Sequence, residues 1–132
     1  MARSSSLKHK VLSILIRAAR LKVAAPVVSF FFKHMELFQT MDRLCVNDSW
    51  TAVHHPQPEY PLHILILPKA AIKSLLEVQP EKTVLFSDFF LLVKTLIRDF
   101  QLDDKGYRLI TNGGSNQTVP QWHWHLISEF YD

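Results

Sequence analysis

The stretch Gln121-Trp122-His123-Trp124-His125-Leu126-Ile127 is where this sequence concentrates groups able to do chemistry. Successive side chains of a β-strand point to opposite faces. Gln121, His123 and His125 therefore share one face, and Trp122, Trp124 and Leu126 share the other. The Trp face reads as core. A polar row on the opposite face needs water or a ligand, because polar groups shielded from both are costly. Just upstream, Asn112-Gly113-Gly114-Ser115-Asn116-Gln117-Thr118 offers backbone N–H groups and small polar side chains. Such a loop can cradle phosphate oxygens. Imidazole is neutral near pH 7 and keeps one nitrogen lone pair. Imidazoles beside a phosphate cradle thus suggest phosphoryl or nucleotidyl transfer. A His-x-His strand pair also binds zinc, with His63 as a third ligand beside His123 and His125. On spacing alone such a pair is more often solvated or at a core edge, and all three readings stay open.

The elements that must position these groups follow from turn chemistry and periodicity. Asn47-Asp48-Ser49 reads as a turn, and Trp50–Val53 as a short strand. His54–Pro61 contains three prolines and is expected to be an extended loop. Exposed histidines are common in such loops, which is the plain account of His54 and His55. Leu62–Leu67 is a buried strand closed by Pro68, with His63 in it. Ala70–Val78 is expected to be a short helix. Pro80 suits the first position of the next, which runs to about Phe100 with Val84, Leu85, Phe89, Leu92, Val93, Leu96 and Ile97 at helical spacing. Asp103-Asp104-Lys105-Gly106 is a turn, Tyr107–Thr111 a strand, and Gln121–Ile127 the last strand. This order predicts an α+β domain with a mostly antiparallel sheet and helices packed on it.

At 132 residues, 48% hydrophobic and 20% charged, the chain has the composition of one globular domain with room for an appended segment. Its one cysteine, Cys45, excludes an internal disulfide framework and a cysteine zinc cluster, and fits a reducing compartment such as the cytoplasm. The net charge of +3 hides an asymmetry. Seven Lys/Arg and no carboxylate precede Glu36, leaving eight basic against twelve acidic residues. Residues 1–45 are read as a basic amphipathic helical arm and 46–132 as the folded domain that carries the histidine strand. Ser4, Ser5 and Ser6 can cap a helix whose apolar arc holds Leu7, Val11, Leu12, Ile14 and Leu15, with Lys10, Arg17 and Arg20 opposite. Pro26 breaks it, and Phe30–Leu44 is a second helical stretch. The longest uncharged run, Val23–Phe32, has ten residues against the roughly 20 a span needs. Two placements remain for the arm: packed on the body or a second subunit, or lying on an anionic membrane surface. No specific nucleic acid is expected, since interleaved stacking aromatics are lacking.

From about Trp50 to Ser128 the sequence resembles the histidine-triad (HIT) superfamily. The family signature is His-φ-His-φ-His-φ-φ, with φ hydrophobic, and Gln121–Ile127 fits it with one change. His54-His55-Pro56-Gln57-Pro58 through His63 to Pro68-Lys69 looks like the family's loop, His-strand and Pro-Lys turn, and Asn112 with the following Gly-Gly-Ser-Asn-Gln-Thr looks like its phosphate-side loop. The resemblance implies a HIT-like fold and a nucleotide-binding phosphoramidase or hydrolase. That chemistry cleaves at the α-phosphate of a nucleoside monophosphate derivative through a covalent nucleotidyl-histidine. It makes His123 the nucleophile, with His125, His63 and Gln121 around it and Asn112, Gln117, Thr118 and His55 on the nucleotide. It implies no cofactor and no metal, and relatives that are commonly homodimers.

Three departures from the pattern bear on function. Gln121 replaces the first histidine and cannot carry a proton or a charge at neutral pH. His55 stands where relatives often carry an acidic ribose ligand, and Asn116 where glycine is frequent. A non-catalytic or weakly active nucleotide- or phosphate-binding module is therefore the rival reading, with a His-based zinc protein behind it.

Overall fold

The computed structural model describes residues 43–131. The arm helix, the Pro26 break and the Phe30–Leu44 stretch lie outside the described residues, apart from Arg43 and Leu44. Those two open a strand rather than closing a helix: β1 is Arg43–Val46. It follows β-pairing with the next strand rather than its own composition. Asn47 Oδ1 accepts from the backbone N–H of Ser49 (3.1 Å) and Trp50 (2.9 Å), closing the expected turn. β2, Trp50–His54, then returns antiparallel along β1.

β3 is Leu62–Pro68, buried at every position because it is the centre of the sheet. The strand order is β1-β2-β3-β5-β4, with β4 at Arg108–Thr111 and β5 at Trp124–Ser128, all neighbours antiparallel. Leu62, Ile64 and Ile66 of β3 and Leu126 of β5 face a helix-covered core. His63 and Leu65 of β3, and His125 and Ile127 of β5, face the opposite side. Period-two alternation thus divides one sheet into a packing face and a reactive face.

The helix covering the core, α1, is Thr83–Asp99 and buries Phe89, Leu92, Val93 and Leu96. It begins three residues after Pro80. Gln79–Lys82 instead forms a turn in which the Lys82 N–H donates to the Gln79 carbonyl at 3.1 Å. The expected Ala70–Val78 helix is reduced to one 3₁₀ turn, Leu75–Glu77, that buries nothing. Without an apolar face to bury, a short helix gains little from packing. The expected turn at Asp103–Gly106 is a single helical turn, α2, Leu102–Lys105.

The β1–β2 hairpin is pinned to α1 by polar contacts. Asn47 Nδ2 donates to the Asp88 carbonyl (2.8 Å), Trp50 Nε1 to the Leu85 carbonyl (2.8 Å), and the Ser49 hydroxyl to the Asp88 carboxylate. Between sheet and helix an aromatic chain runs Trp124–Phe89–Trp50–Trp122, with successive ring centroids 4.9, 4.8 and 5.3 Å apart. Burial and the nearby Asp99 carboxylate raise the Cys45 thiol above its ordinary value. It is therefore a protonated, weakly nucleophilic group at neutral pH. Among the described residues no helix is long and apolar enough to cross a membrane.

Candidate active site

The reactive face of the sheet opens into a pocket of about 390 Å³. Its walls hold His123 and His125, His63 of β3, His55 of the Pro-rich loop, and Asn112, Gln117 and Thr118 of the polar loop. Seven of the eight residues singled out from sequence thus meet in one concavity. Gln121 is the exception. It is 3% exposed, is not among the pocket-lining residues, and gives its Nε2 to the Trp122 carbonyl at 3.2 Å.

The reason is local. β5 begins at Trp124, not at Gln121. Pro120 has no N–H to offer a ladder, and the Trp122 N–H leaves the sheet to bond the Ile72 carbonyl at 2.8 Å. The alternation expected over Gln121–Ile127 therefore starts three residues late. What Gln121 supplies to the pocket is its main-chain carbonyl, 2.7 Å from His123 Nδ1. The Thr111 hydroxyl donates to the His123 carbonyl at 2.7 Å and clamps the same segment to β4.

These bonds assign the protons on the rings. A carbonyl can only accept, so His123 carries its proton on Nδ1 and Nε2 keeps the lone pair. Burial pushes the His123 pKa below the ordinary imidazole value, partly opposed by the Gln121 carbonyl. The ring is neutral and nucleophilic at pH 7.

In the loop between β2 and β3, the residues that follow Pro56 and Pro58 supply N–H donors. The Gln57 N–H reaches His55 Nδ1 at 3.0 Å, and the Glu59 N–H reaches His63 Nδ1 at 3.1 Å. In its neutral form each ring then holds its proton on Nε2. His63 Nε2 lies 2.8 Å from His125 Nδ1 and donates to it. His125, accepting on Nδ1, carries its own proton on Nε2 and is a hydrogen-bond donor. One imidazole thus presents a lone pair and its neighbour, with ring centroids 5.0 Å apart, a hydrogen-bond donor. His63 lies between His125 and His55, whose ring stacks on it at 4.2 Å.

The strand register explains the His63–His125 contact. His63 pairs with Ile127, and Leu65 with His125, so the two histidines are diagonal neighbours on one face. The zinc set considered from sequence was His63, His123 and His125. The histidines whose ligand atoms lie within 4.8 Å of one another are instead His55, His63 and His125. Glu59, Tyr60, Leu65, Ile110, Val119 and Ile127 also line the pocket. Of these, Leu65 and Ile127 were readable in the sequence, each two positions from a site histidine on its strand.

Gln117 Nε2 donates both to the Lys73 carbonyl (2.6 Å) and to the Val119 carbonyl (2.9 Å). Both amide hydrogens are committed to fixing the loop, so the oxygen is its remaining polar contribution.

The HIT domain family model matches residues 38–132. The chain is 30% identical over 88 residues to an uncharacterized HIT-like protein of Chlamydia muridarum, covering 65% of this chain and 69% of that one. It is 36% identical over 83 residues to another from Synechococcus elongatus, covering 61% and 72%. Among solved structures it resembles a HIT family hydrolase from Clostridium thermocellum (TM-score 0.65, 29% identity, 75% of this chain and 88% of that one). A HIT family hydrolase from Legionella pneumophila gives a TM-score of 0.61 at 28% identity, over 65% and 79% of the two chains. A histidine triad nucleotide-binding protein from Candida albicans gives 0.58 at 27% identity, over 66% and 64%.

Proposed function

The chain belongs to the HIT domain family, and from that premise we propose that it hydrolyses nucleoside 5′-phosphoramidates or related nucleotide conjugates through a nucleotidyl-His123 intermediate. The observation that carries the reading is the Gln121 carbonyl on His123 Nδ1, which leaves Nε2 as a fixed lone pair in a pocket. His123 Nε2 attacks the α-phosphorus. The bond from phosphorus to the leaving amine breaks, and the amine nitrogen takes up a proton from water. The Gln121 carbonyl stabilises the positive charge then carried by the ring. The His125 Nε2–H donates to a phosphoryl oxygen. Water then attacks phosphorus and the P–Nε2 bond breaks. The nucleoside monophosphate and neutral His123 are released, and the proton shed by water balances the one taken earlier. No metal or cofactor enters this scheme.

Gln121 acts in it through its main-chain oxygen, so a histidine side chain at that position is not required for the nucleophile. His63 and His125 form the donor pair, Asn112 and Thr118 contact the phosphate side, and His55 with Tyr60 walls the nucleoside side. The test is interception of the intermediate. Protein mixed with adenosine 5′-phosphoramidate and quenched in base should gain the mass of one adenylyl group on His123, located by peptide mass spectrometry. Turnover with the label on another residue, or on none, contradicts the mechanism.

The same geometry fixes the pH dependence. Protonation of Nε2 removes the lone pair, so activity falls as pH drops through the His123 pKa. Because burial lowers that pKa, the acid limb of kcat/KM should fall below the unperturbed value of about 6.5. A pH–rate profile and NMR titration of the His123 ring check it. A limb above that value in both measurements contradicts the assignment.

A further inference from the structure

Four of the chain's seven histidines line one pocket. Three of them, His55, His63 and His125, each bring a ring nitrogen within 4.8 Å of the others. Hydrolysis needs a nucleophile and a donor, and the closeness of three imidazoles answers to neither. His123 stands outside the group, with its Nδ1 at the Gln121 carbonyl.

The three rings are held together by the sheet. His63 on β3 and His125 on β5 are diagonal neighbours in a paired register. His55 follows directly on β2, and its N–H donates to the His63 carbonyl at 2.8 Å. His55 and His63 are 6% and 5% exposed, so both side chains are already ordered. Neutral imidazole is the commonest metal ligand, and three of them with one open position are a donor set for zinc. Nitrogen ligands at about 2.0–2.1 Å from a tetrahedral zinc lie about 3.3 Å from one another. That spacing falls between the 2.8 Å separating His63 Nε2 from His125 Nδ1 and the 4.8 Å that bounds the group. Ring rotations reach it with the strands left as they are, and water in the pocket supplies the fourth ligand.

Zinc and the loop amides make opposite demands on two of these rings. Coordination through His63 Nε2 puts that ring's proton on Nδ1, where it meets the Glu59 N–H instead of accepting from it. Coordination through His55 Nε2 does the same at the Gln57 N–H. The metal-bound pocket is therefore a different form of the loop between β2 and β3. We propose that His55, His63 and His125 bind one zinc ion, and that its binding draws this loop out of the form that receives a nucleotide. His55 and Tyr60 both belong to the loop and line the pocket. Zinc and nucleotide should thus oppose each other by about tenfold in affinity, each on the other. The nucleotide half rests on the hydrolase reading, and the metal half does not.

The test is calorimetry of the full chain, made without a histidine tag, with zinc chloride at pH 7. His55→Ala and His125→Asn should each weaken zinc by more than the roughly 10–100-fold that an outer-shell partner is worth. His54→Ala, one position away and outside the group, should leave it unchanged. No zinc binding by the wild type, or an isotherm that neither pocket variant moves, overturns the site. Histidine-ring NMR of the wild type needs no variant to fold. Zinc should move the His55, His63 and His125 signals most, and largest shifts on other histidines overturn the site. With saturating adenosine monophosphate the zinc affinity should fall about tenfold, and an unchanged or raised affinity overturns the opposition. If adenosine monophosphate did not bind at all, the nucleotide reading would fail, while the zinc isotherms and ring signals would still decide the metal site.

Discussion

Replacing His123 with alanine should lower turnover of adenosine 5′-phosphoramidate by about 10⁴-fold or more, with little loss of nucleotide affinity. The size follows from what the ring does. It is the group whose lone pair is held open by a main-chain acceptor, and removing it removes the covalent route entirely. Structural damage should be slight, because the imidazole makes one mapped hydrogen bond, to a carbonyl of its own segment. A thermal melt close to wild type would confirm that the loss is chemical. Calorimetry with adenosine monophosphate should still detect binding through the phosphate-side loop and His125. His125→Asn should be milder, since it removes one donor to the phosphoryl oxygens and leaves the nucleophile, with a loss of about 10²–10³-fold. Wild-type turnover in the His123→Ala protein would end the covalent scheme.

The second large effect concerns the fold. Trp50→Ala should destabilise the domain by about 3–5 kcal/mol, the usual cost of deleting a fully buried tryptophan. Trp50 is 0% exposed, contacts Phe89 and Trp122, and bonds the Leu85 carbonyl through its indole nitrogen. Domains of this kind have only about 5–15 kcal/mol of stability in all, so a drop in melting temperature of roughly 10 °C or more is expected. Trp122 precedes His123, and losing its packing partner should also blunt activity in the fraction that remains folded. Trp50→Phe keeps most of the ring contact and loses one hydrogen bond, at about 1 kcal/mol. Chemical denaturation of the three proteins, with Leu76→Ser as a near-silent surface control, measures the series. A Trp50→Ala midpoint close to wild type would mean that the aromatic chain does not hold the sheet to α1.

What could be read from sequence was what period and turn chemistry encode locally. The apolar run Leu62–Leu67 marked a buried strand with His63 in it, and the Asn47 turn closed where expected. The long helix was visible in its apolar spacing. Two of the misreadings come from contacts between residues distant in the chain. β1 is a strand because β2 pairs with it, which nothing in Arg43–Val46 announces. Gln121 left the reactive face because the Trp122 N–H finds the Ile72 carbonyl, fifty residues away in sequence. Pro80 was a sound signal for a first turn, but the chain spends two more residues turning before Thr83. The pocket was legible in part because two of its histidines, His63 and His125, sit on strands. The hydrogen bonds that tell those histidines apart were not, since they come from loop amides whose direction depends on the folded path.

Those loop amides make tolerance to substitution uneven in a way no side-chain inventory anticipates. The Nδ1 atoms of His55 and His63 are held by the peptide N–H groups of positions 57 and 59, which every residue except proline carries. Exchange of either residue for almost any other leaves the donor in place. Proline alone deletes it, and would free the ring to take the opposite tautomer. Saturation mutagenesis of this loop should therefore show proline refused at both positions.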